Sequence, residues 1–271
     1  VTVKTASDGT RFEVLEGPGP AVVLVHGLGL NRHMWQWQRD ALAERYTVIS
    51  YDLFGHGESP APPEPPSLTL FSSQLRRLID EAKLSKVAIA GFSLGGMIAR
   101  RFAMDHESRL WALAILHSAH QRDQAAHDAI QLRVHQARRE GPAATVDAAL
   151  ERWFSAPFHR ANPAIMQQVR DWVMANSKEI YPDIYQVLVD GVDELIAPSP
   201  SIHCPTLVMT GSEDYGNSVE MTHAIAAEIP GSKTVILPGL RHMAMAENPV
   251  RFNSELLQFL QHTEQGGSDA G

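Results

Sequence analysis

Six short runs of apolar and β-branched residues punctuate the chain: Ala21–Val25, Thr47–Tyr51, Val87–Ala90, Leu113–Leu116, Thr206–Met209 and Thr234–Leu237. Each is too short for a globular helix and lacks the polar alternation of a strand with one wet face. They read as strands buried on both faces of a parallel sheet. Between them Met34–Tyr46, Leu68–Lys83, Leu94–Asp105, Val219–Ile229 and Val250–His262 carry helical spacing, and Pro249 suits a first helical turn. Strands alternating with helices predict an α/β fold built on a doubly wound, mostly parallel sheet. At the amino end, Val1–Thr5 and Arg11–Leu15 flank the turn-forming Ser7-Asp8-Gly9, which predicts an antiparallel hairpin on the sheet edge.

The alternation stops at about residue 120 and resumes at about residue 200. Four helical patterns follow one another there, Gln124–Glu140, Ala143–Phe154, Pro163–Ser177 and Asp183–Leu195. The expected organisation is therefore a core of residues 1–119 and 201–262, a helical cap over 120–200, and a flexible tail over 263–271. The cap segment is rich in aromatic residues, more than packing on a sheet requires. Trp153, Phe154, Trp172 and Tyr185, together with His120 just before them, are the expected substrate contacts.

Composition narrows the function. Hydrophobic residues make up 44% and charged residues 20%, and no apolar run approaches the roughly 20 residues that span a bilayer, so a soluble globular chain is expected. No basic segment followed by an apolar stretch opens the sequence, which points to the cytoplasm. The single cysteine, Cys204, excludes an internal disulfide and a four-cysteine zinc site. A formal charge of −8 opposes nucleic acid and anionic membrane surfaces, and it favours neutral ligands over anionic ones at long range. An anionic substrate would need local compensation from Arg32 or a cap arginine. A small-molecule partner is expected, and a homo-oligomer is compatible with the chain.

One motif carries the chemistry. Gly91-Phe92-Ser93-Leu94-Gly95 lies between the apolar run at Val87 and the helical pattern that begins at Leu94, so Ser93 occupies a sharp strand-to-helix turn. Such a turn lifts the hydroxyl clear of the sheet and aims the helix amino end at the reaction centre. A serine nucleophile needs a base, and the base an orienting acid. Asp214 follows the strand pattern at Thr206 and His242 follows the one at Thr234, in the chain order serine, acid, base. Parallel strands bring their carboxyl ends to one edge, where residues this far apart in sequence can meet. Glu213 and Asp123 are rival acids; His26 and His56 read as loop braces, and His117 and His120 could reach the pocket. The backbone N–H groups of Leu94, at the helix start, and of Leu28, in His26-Gly27-Leu28-Gly29, are placed to stabilise an oxyanion. No metal-binding string such as His-Glu-x-x-His occurs, and no metal or cofactor is expected.

Taken together, His26-Gly27, Asp52-Leu53-Phe54-Gly55-His56-Gly57-Glu58-Ser59, Gly91–Gly96, Asp214 and Gly239-Leu240-Arg241-His242-Met243 resemble the α/β-hydrolase fold family along essentially the whole chain. The resemblance implies a catalytic triad of Ser93, Asp214 and His242 and an oxyanion hole from the Leu28 and Leu94 amides. It departs from the family at Tyr215-Gly216-Asn217-Ser218, where relatives often carry an apolar residue and a proline. His33-Met34-Trp35, Tyr51-Asp52 and Ser93–Met97 look most like the branch of 3-oxoadipate enol-lactone hydrolases, small esterases and some N-acyl-homoserine lactonases. The implied activity is hydrolysis of an ester or lactone, with an apolar acyl group favoured by the aromatic cap. A carboxylated enol-lactone, carbon-carbon cleavage, cofactor-free perhydrolysis and a ligand-binding protein on the same fold are the alternatives.

Overall fold

The computed structural model describes residues 1–268, with side chains through Gln265. Its sheet has eight strands: β1 (Thr2–Thr5), β2 (Arg11–Leu15), β3 (Gly19–Val25), β4 (Tyr46–Tyr51), β5 (Val87–Phe92), β6 (Leu110–Leu116), β7 (Thr206–Gly211) and β8 (Lys233–Leu237), in the order β1-β2-β4-β3-β5-β6-β7-β8. The first two strands form the expected edge hairpin, antiparallel to each other and to β4, and every other pairing is parallel. The register aligns the carboxyl ends. Val25 pairs with both Tyr51 and Gly91, Phe92 with Leu116, Leu116 with Met209, and Gly211 with Leu237. The loops after these strands, which hold Leu28, Ser93, His117, Asp214 and His242, therefore share one rim.

Both sheet faces are covered, which is why the strands read as continuous apolar runs. Val23, Val25, Ile89, Leu113 and Ile115 face α2 (Leu68–Glu81) and α3 (Leu94–His106), whereas Val22, Leu24, Ala88, Ala112 and Ala114 belong to a second core with Trp35 and the last helix. Alternate residues of one strand feeding opposite cores is the period-two geometry of the pleat. Ser67 caps α2 by accepting from the Leu70 N–H at 3.0 Å.

Two helical expectations need correction. The Met34–Tyr46 pattern is a 3-10 turn over Arg32–Trp37 followed by the short α1 (Arg39–Ala43), and Tyr46 already begins β4. At the junction the Gln38 side chain is buried, and its amide donates to Met245 O at 3.0 Å and to Asn253 Oδ1 at 3.1 Å. At the other end, the last helix does not stop at His262 but runs Pro249–Ser268, so much of the expected tail is helical. Tyr46 Oη donates to Glu264 Oε2 at 3.3 Å and ties this part of the helix to the sheet. Residues 269–271 of the expected tail lie outside the described residues.

Between β6 and β7 come five α-helices, α4 (Gln124–Glu140), α5 (Ala143–Trp153), α6 (Ala156–Ala161), α7 (Pro163–Met174) and α8 (Tyr181–Asp190), and a 3-10 turn over Asp193–Leu195 that splits off the end of the expected Asp183–Leu195 pattern. The extra one, α6, starts after Ser155 with Pro157 in its first turn. Then α9 (Val219–Ala227) joins β7 to β8, and α10 (Ala244–Glu247) and α11, the helix at Pro249, follow β8. No described helix is long and apolar enough to cross a membrane.

Candidate active site

Ser93 has φ 55° and ψ −115°, a conformation that costs an ordinary residue on the order of 1–3 kcal/mol and persists only where the surroundings enforce it. The enforcement is visible in the flanking glycines. A Cβ at Gly91 would strike the Gly95 carbonyl, and one at Gly95 would strike the Val25 carbonyl, so β5, β3 and the first turn of α3 approach more closely than any side chain allows. The Ser93 N–H donates to Leu116 O at 2.9 Å and its carbonyl accepts from Gly96 and Met97 N–H, which locks the turn. Ser93 is 9% exposed, and that exposure faces a cavity it shares with His242, Asp214, Leu28 and Trp153.

Asp214 is the acid that meets His242. The Nδ1–H of His242 donates to Asp214 Oδ2 at 2.7 Å, and because an ionised carboxylate only accepts, this nitrogen carries a proton and Nε2 is the one turned away from the acid. The rivals are elsewhere. Asp123 caps α4 by accepting from the Ala126 N–H at 2.7 Å, and Glu213 lies beside Arg241, 3.8 Å from its Nε. The Tyr215–Ser218 segment, the departure from the family pattern, holds the acid through backbone. The N–H groups of Gly216 and Asn217 donate to Asp214 Oδ1 at 3.2 and 3.0 Å, and the second of these would be lost with a proline at 217.

His117 was not among the expected triad members, yet it shares the acid. Its Nδ1–H donates to the same Asp214 Oδ2 at 2.9 Å, and its ring is fully buried against Phe92 and Phe252. The residue has φ 49° at the end of β6, and its Nε2 has no hydrogen-bond partner among the described residues. Burial alone would raise the Asp214 pKa, but the two facing imidazoles outweigh it and hold the carboxyl well below the usual range. Burial pushes His117 the other way, toward the neutral ring, against the pull of Asp214. The three ligand atoms of His117, Asp214 and His242 lie within 4.8 Å of one another. The Nδ1 atoms of both imidazoles lie at hydrogen-bonding distance from the same carboxylate oxygen, Asp214 Oδ2. The only signal for His117 in the sequence is its place one residue beyond a strand, which many loop residues share.

The second loop of the site is braced by two neutral histidines. The Leu53 N–H donates to His26 Nε2 at 2.9 Å and the Gly29 N–H to His56 Nε2 at 3.0 Å, while each Nδ1–H donates to a carbonyl, Gly27 O at 2.8 Å and Phe54 O at 3.2 Å. Burial lowers the first to about 4 and the second to about 3. This leaves Leu28 between two fixed glycines. Among the described residues, neither the Leu28 nor the Leu94 N–H has a protein acceptor.

The expected substrate contacts divide. Trp153 and Tyr185 line the cavity. Phe154 is buried and stacks on Phe158, Trp172 packs against Trp37 at 6.3 Å between ring centroids, and His120 lies 3.2 Å from Glu228; none of these three lines it. In their place are three arginines, Arg122, Arg133 and Arg152, which no motif marked. Arg32 is occupied elsewhere, bonded to Asp52, Glu13 and Glu58 under the hairpin.

This architecture defines the class. The chain belongs to the alpha/beta hydrolase family, whose sequence pattern matches residues 22–255. It is 27% identical over 263 residues to the (E)-2-((N-methylformamido)methylene)succinate hydrolase of Acinetobacter baylyi, covering 97% of this chain and 98% of that one. The enol-lactonase from Burkholderia xenovorans LB400 superposes with a TM-score of 0.86 at 27% identity, over 96% of this chain and all of that one (100%). A thermophilic esterase from Thermogutta terrifontis does so with a TM-score of 0.85 at 27% identity, over 97% and 99% of the two chains.

Proposed function

We propose that the protein is a serine hydrolase that opens a carboxylic ester or lactone through an acyl-enzyme. One observation carries this reading: the 2.7 Å bond from His242 to Asp214, in a cavity lined by a serine on a strained turn. Ser93 Oγ attacks the carbonyl carbon while His242 Nε2 takes its proton. The Leu28 and Leu94 N–H groups receive the charge that develops on the carbonyl oxygen, each such donor being worth on the order of 3 kcal/mol. As the carbon-oxygen bond breaks, His242 returns the proton to the leaving oxygen. Water, deprotonated by the same imidazole, then releases the acid. With a lactone the leaving alcohol stays tethered, so its re-attack competes with water until hydrolysis completes.

The relatives support an ester-like bond as the target, since they include an enol-lactonase and an esterase. The expectation of an apolar acyl group has less support, because the wall formed by the inserted helices is cationic as well as aromatic. The test is turnover of 4-nitrophenyl butyrate by the protein and by Ser93→Ala, with mass spectrometry of the protein quenched during turnover. A rate lower by roughly 10⁴-fold or more in the variant, and an acyl adduct on Ser93, are expected. Equal rates in the two proteins would sink the proposal.

A further inference from the structure

We propose that the substrate of this hydrolase carries at least one free carboxylate besides its scissile carbonyl, and that Arg122, Arg133 and Arg152 bind it. The inference rests on the serine-hydrolase reading above and names the substrate class for that site.

The other buried cations of this chain are paired with carboxylates. Arg32, 5% exposed, is paired with Asp52, Glu13 and Glu58, and Arg100, 1% exposed, with Glu228 at 3.3 Å. Burying a cation without an anion is expensive, so pairing is the ordinary solution. The three cavity arginines break the pattern. All are half-buried, and among the described residues none of them makes an ion pair with a carboxylate. Arg122 spends one N–H on Leu188 O at 3.0 Å, and Arg133 spends its Nε–H on Tyr185 Oη at 3.1 Å. Among the described residues Arg152 has no hydrogen bond to protein, so most of the fifteen or so N–H donors of three guanidiniums are unspent there. They also repel one another: burial and the charge of Arg133 lower Arg122 to about 10 and push Arg152 down as well. The one carboxylate in the cavity, Asp214, is already held by two imidazoles and two backbone amides.

An unpaired cationic cluster in a cavity with a nucleophile is complementary to an anion that arrives with the substrate. Guanidiniums match carboxylates in two-point geometry, and the neighbouring Ile130, Leu188 and Trp153 suit the short carbon skeleton that joins such a carboxylate to the ester. The net charge of the whole chain pointed the other way because it averages over a surface that the substrate does not meet.

The test compares two esters of nearly the same shape, the 4-nitrophenyl monoester of succinate and 4-nitrophenyl 4-methylpentanoate, in which an isopropyl group replaces the carboxylate. The readout is the ratio of their kcat/KM values within one preparation, which cancels the fraction of protein that is folded. We expect the ratio to favour the succinate ester by roughly tenfold or more, and to fall roughly 10- to 100-fold in Arg152→Met and in Arg133→Met. A ratio at or below unity, or one unchanged in both variants, overturns the assignment. Calorimetry with succinate on Ser93→Ala separates this outcome from failure of the hydrolase reading. Succinate binding that both arginine variants weaken, with neither ester hydrolysed by the parent protein, keeps the anion site and rejects the hydrolase. Hydrolysis of the neutral ester alone, with no succinate binding, does the reverse. Inorganic sulfate that binds as tightly as succinate at equal ionic strength would mark a general anion site and reject the carboxylate assignment.

Discussion

Acidification from about pH 7 to about pH 5 is expected to remove about 3–4 kcal/mol of stability through His26 and His56 alone. Both rings are fully buried, and each uses Nδ1–H as a donor and Nε2 as an acceptor of a backbone N–H. A second proton would set a donor against the Leu53 or Gly29 N–H. The folded values accordingly fall to about 4 and about 3, against 6.5 for an unconstrained ring. Below 6.5 the unfolded chain takes up protons that the folded chain refuses, so this stability is complete above that value and is lost as pH falls toward the folded values. At about pH 5 each site has cost about 1.8 kcal/mol relative to about pH 7. Burial also lowers His106 and His117, which adds in the same direction. Asp214, held below the usual carboxylate range, gives way only at lower pH and leaves this window to the imidazoles. The assay is urea unfolding at the two pH values for the parent protein and for His56→Gln, whose amide oxygen can accept the Gly29 N–H without titrating. The variant should lose about 1.8 kcal/mol less than the parent over the interval. Identical losses in the two proteins would refute the reasoning, because the brace would then be unconnected to the titration. Since Gly29 adjoins Leu28, the same titration loosens the loop that presents the proposed oxyanion donor.

Three further outcomes follow from the site and its supports. Asp214→Asn presents an amide N–H to His242 Nδ1 and drives the ring proton to Nε2, which removes the base of the proposed mechanism, so steady-state kinetics should show kcat/KM lower by roughly 10³- to 10⁴-fold with the fold retained. His117→Phe removes one donor to Asp214 but also an unpaired buried nitrogen, terms of about 1–3 kcal/mol each that oppose one another. Its thermal midpoint should therefore move little, while kcat falls by roughly tenfold with a smaller change in KM, since the acid has lost one of its two imidazole anchors. Arg32→Met strands Asp52 and Glu13 beneath the hairpin and should cost about 3–5 kcal/mol in chemical denaturation. A loss below about 1 kcal/mol would mean that the network contributes nothing net.

The fold was legible because its parallel strands are buried on both faces and therefore leave uninterrupted apolar runs. The positions of Val22 and Val23 in opposite cores show why no alternation marked them. Helix boundaries were less so. Gln38, where the 3-10 turn gives way to α1, bonds to Met245 and Asn253, more than 200 residues away in sequence, and nothing local records those partners. The same holds for the Tyr46–Glu264 bond that lies within the expected tail.

At the site, legibility followed the range of the interaction that gives a residue its role. Ser93 is set by its immediate neighbours: Gly91 and Gly95 are required by backbone contacts within one strand-turn-helix unit, so a pentapeptide announces it. The choice of Asp214 over Glu213 turns on one residue of loop geometry, with the N–H groups of Gly216 and Asn217 orienting the carboxylate toward His242. That choice could be suspected but not decided from order along the chain. Arg122, Arg133 and Arg152 come from a loop and two helices, and along the chain they are three cations among 23 in segments that read as ordinary solvated helix faces. Their meaning arises only when the inserted helices set them in one cavity without a carboxylate partner, and a missing partner is a property of the space around a side chain. The triad-like geometry speaks to the bond that is broken, whereas these unpaired guanidiniums speak to what the rest of the substrate must carry. The second kind of information is spread over 31 positions of inserted helix and loop, where a pattern search has nothing to hold.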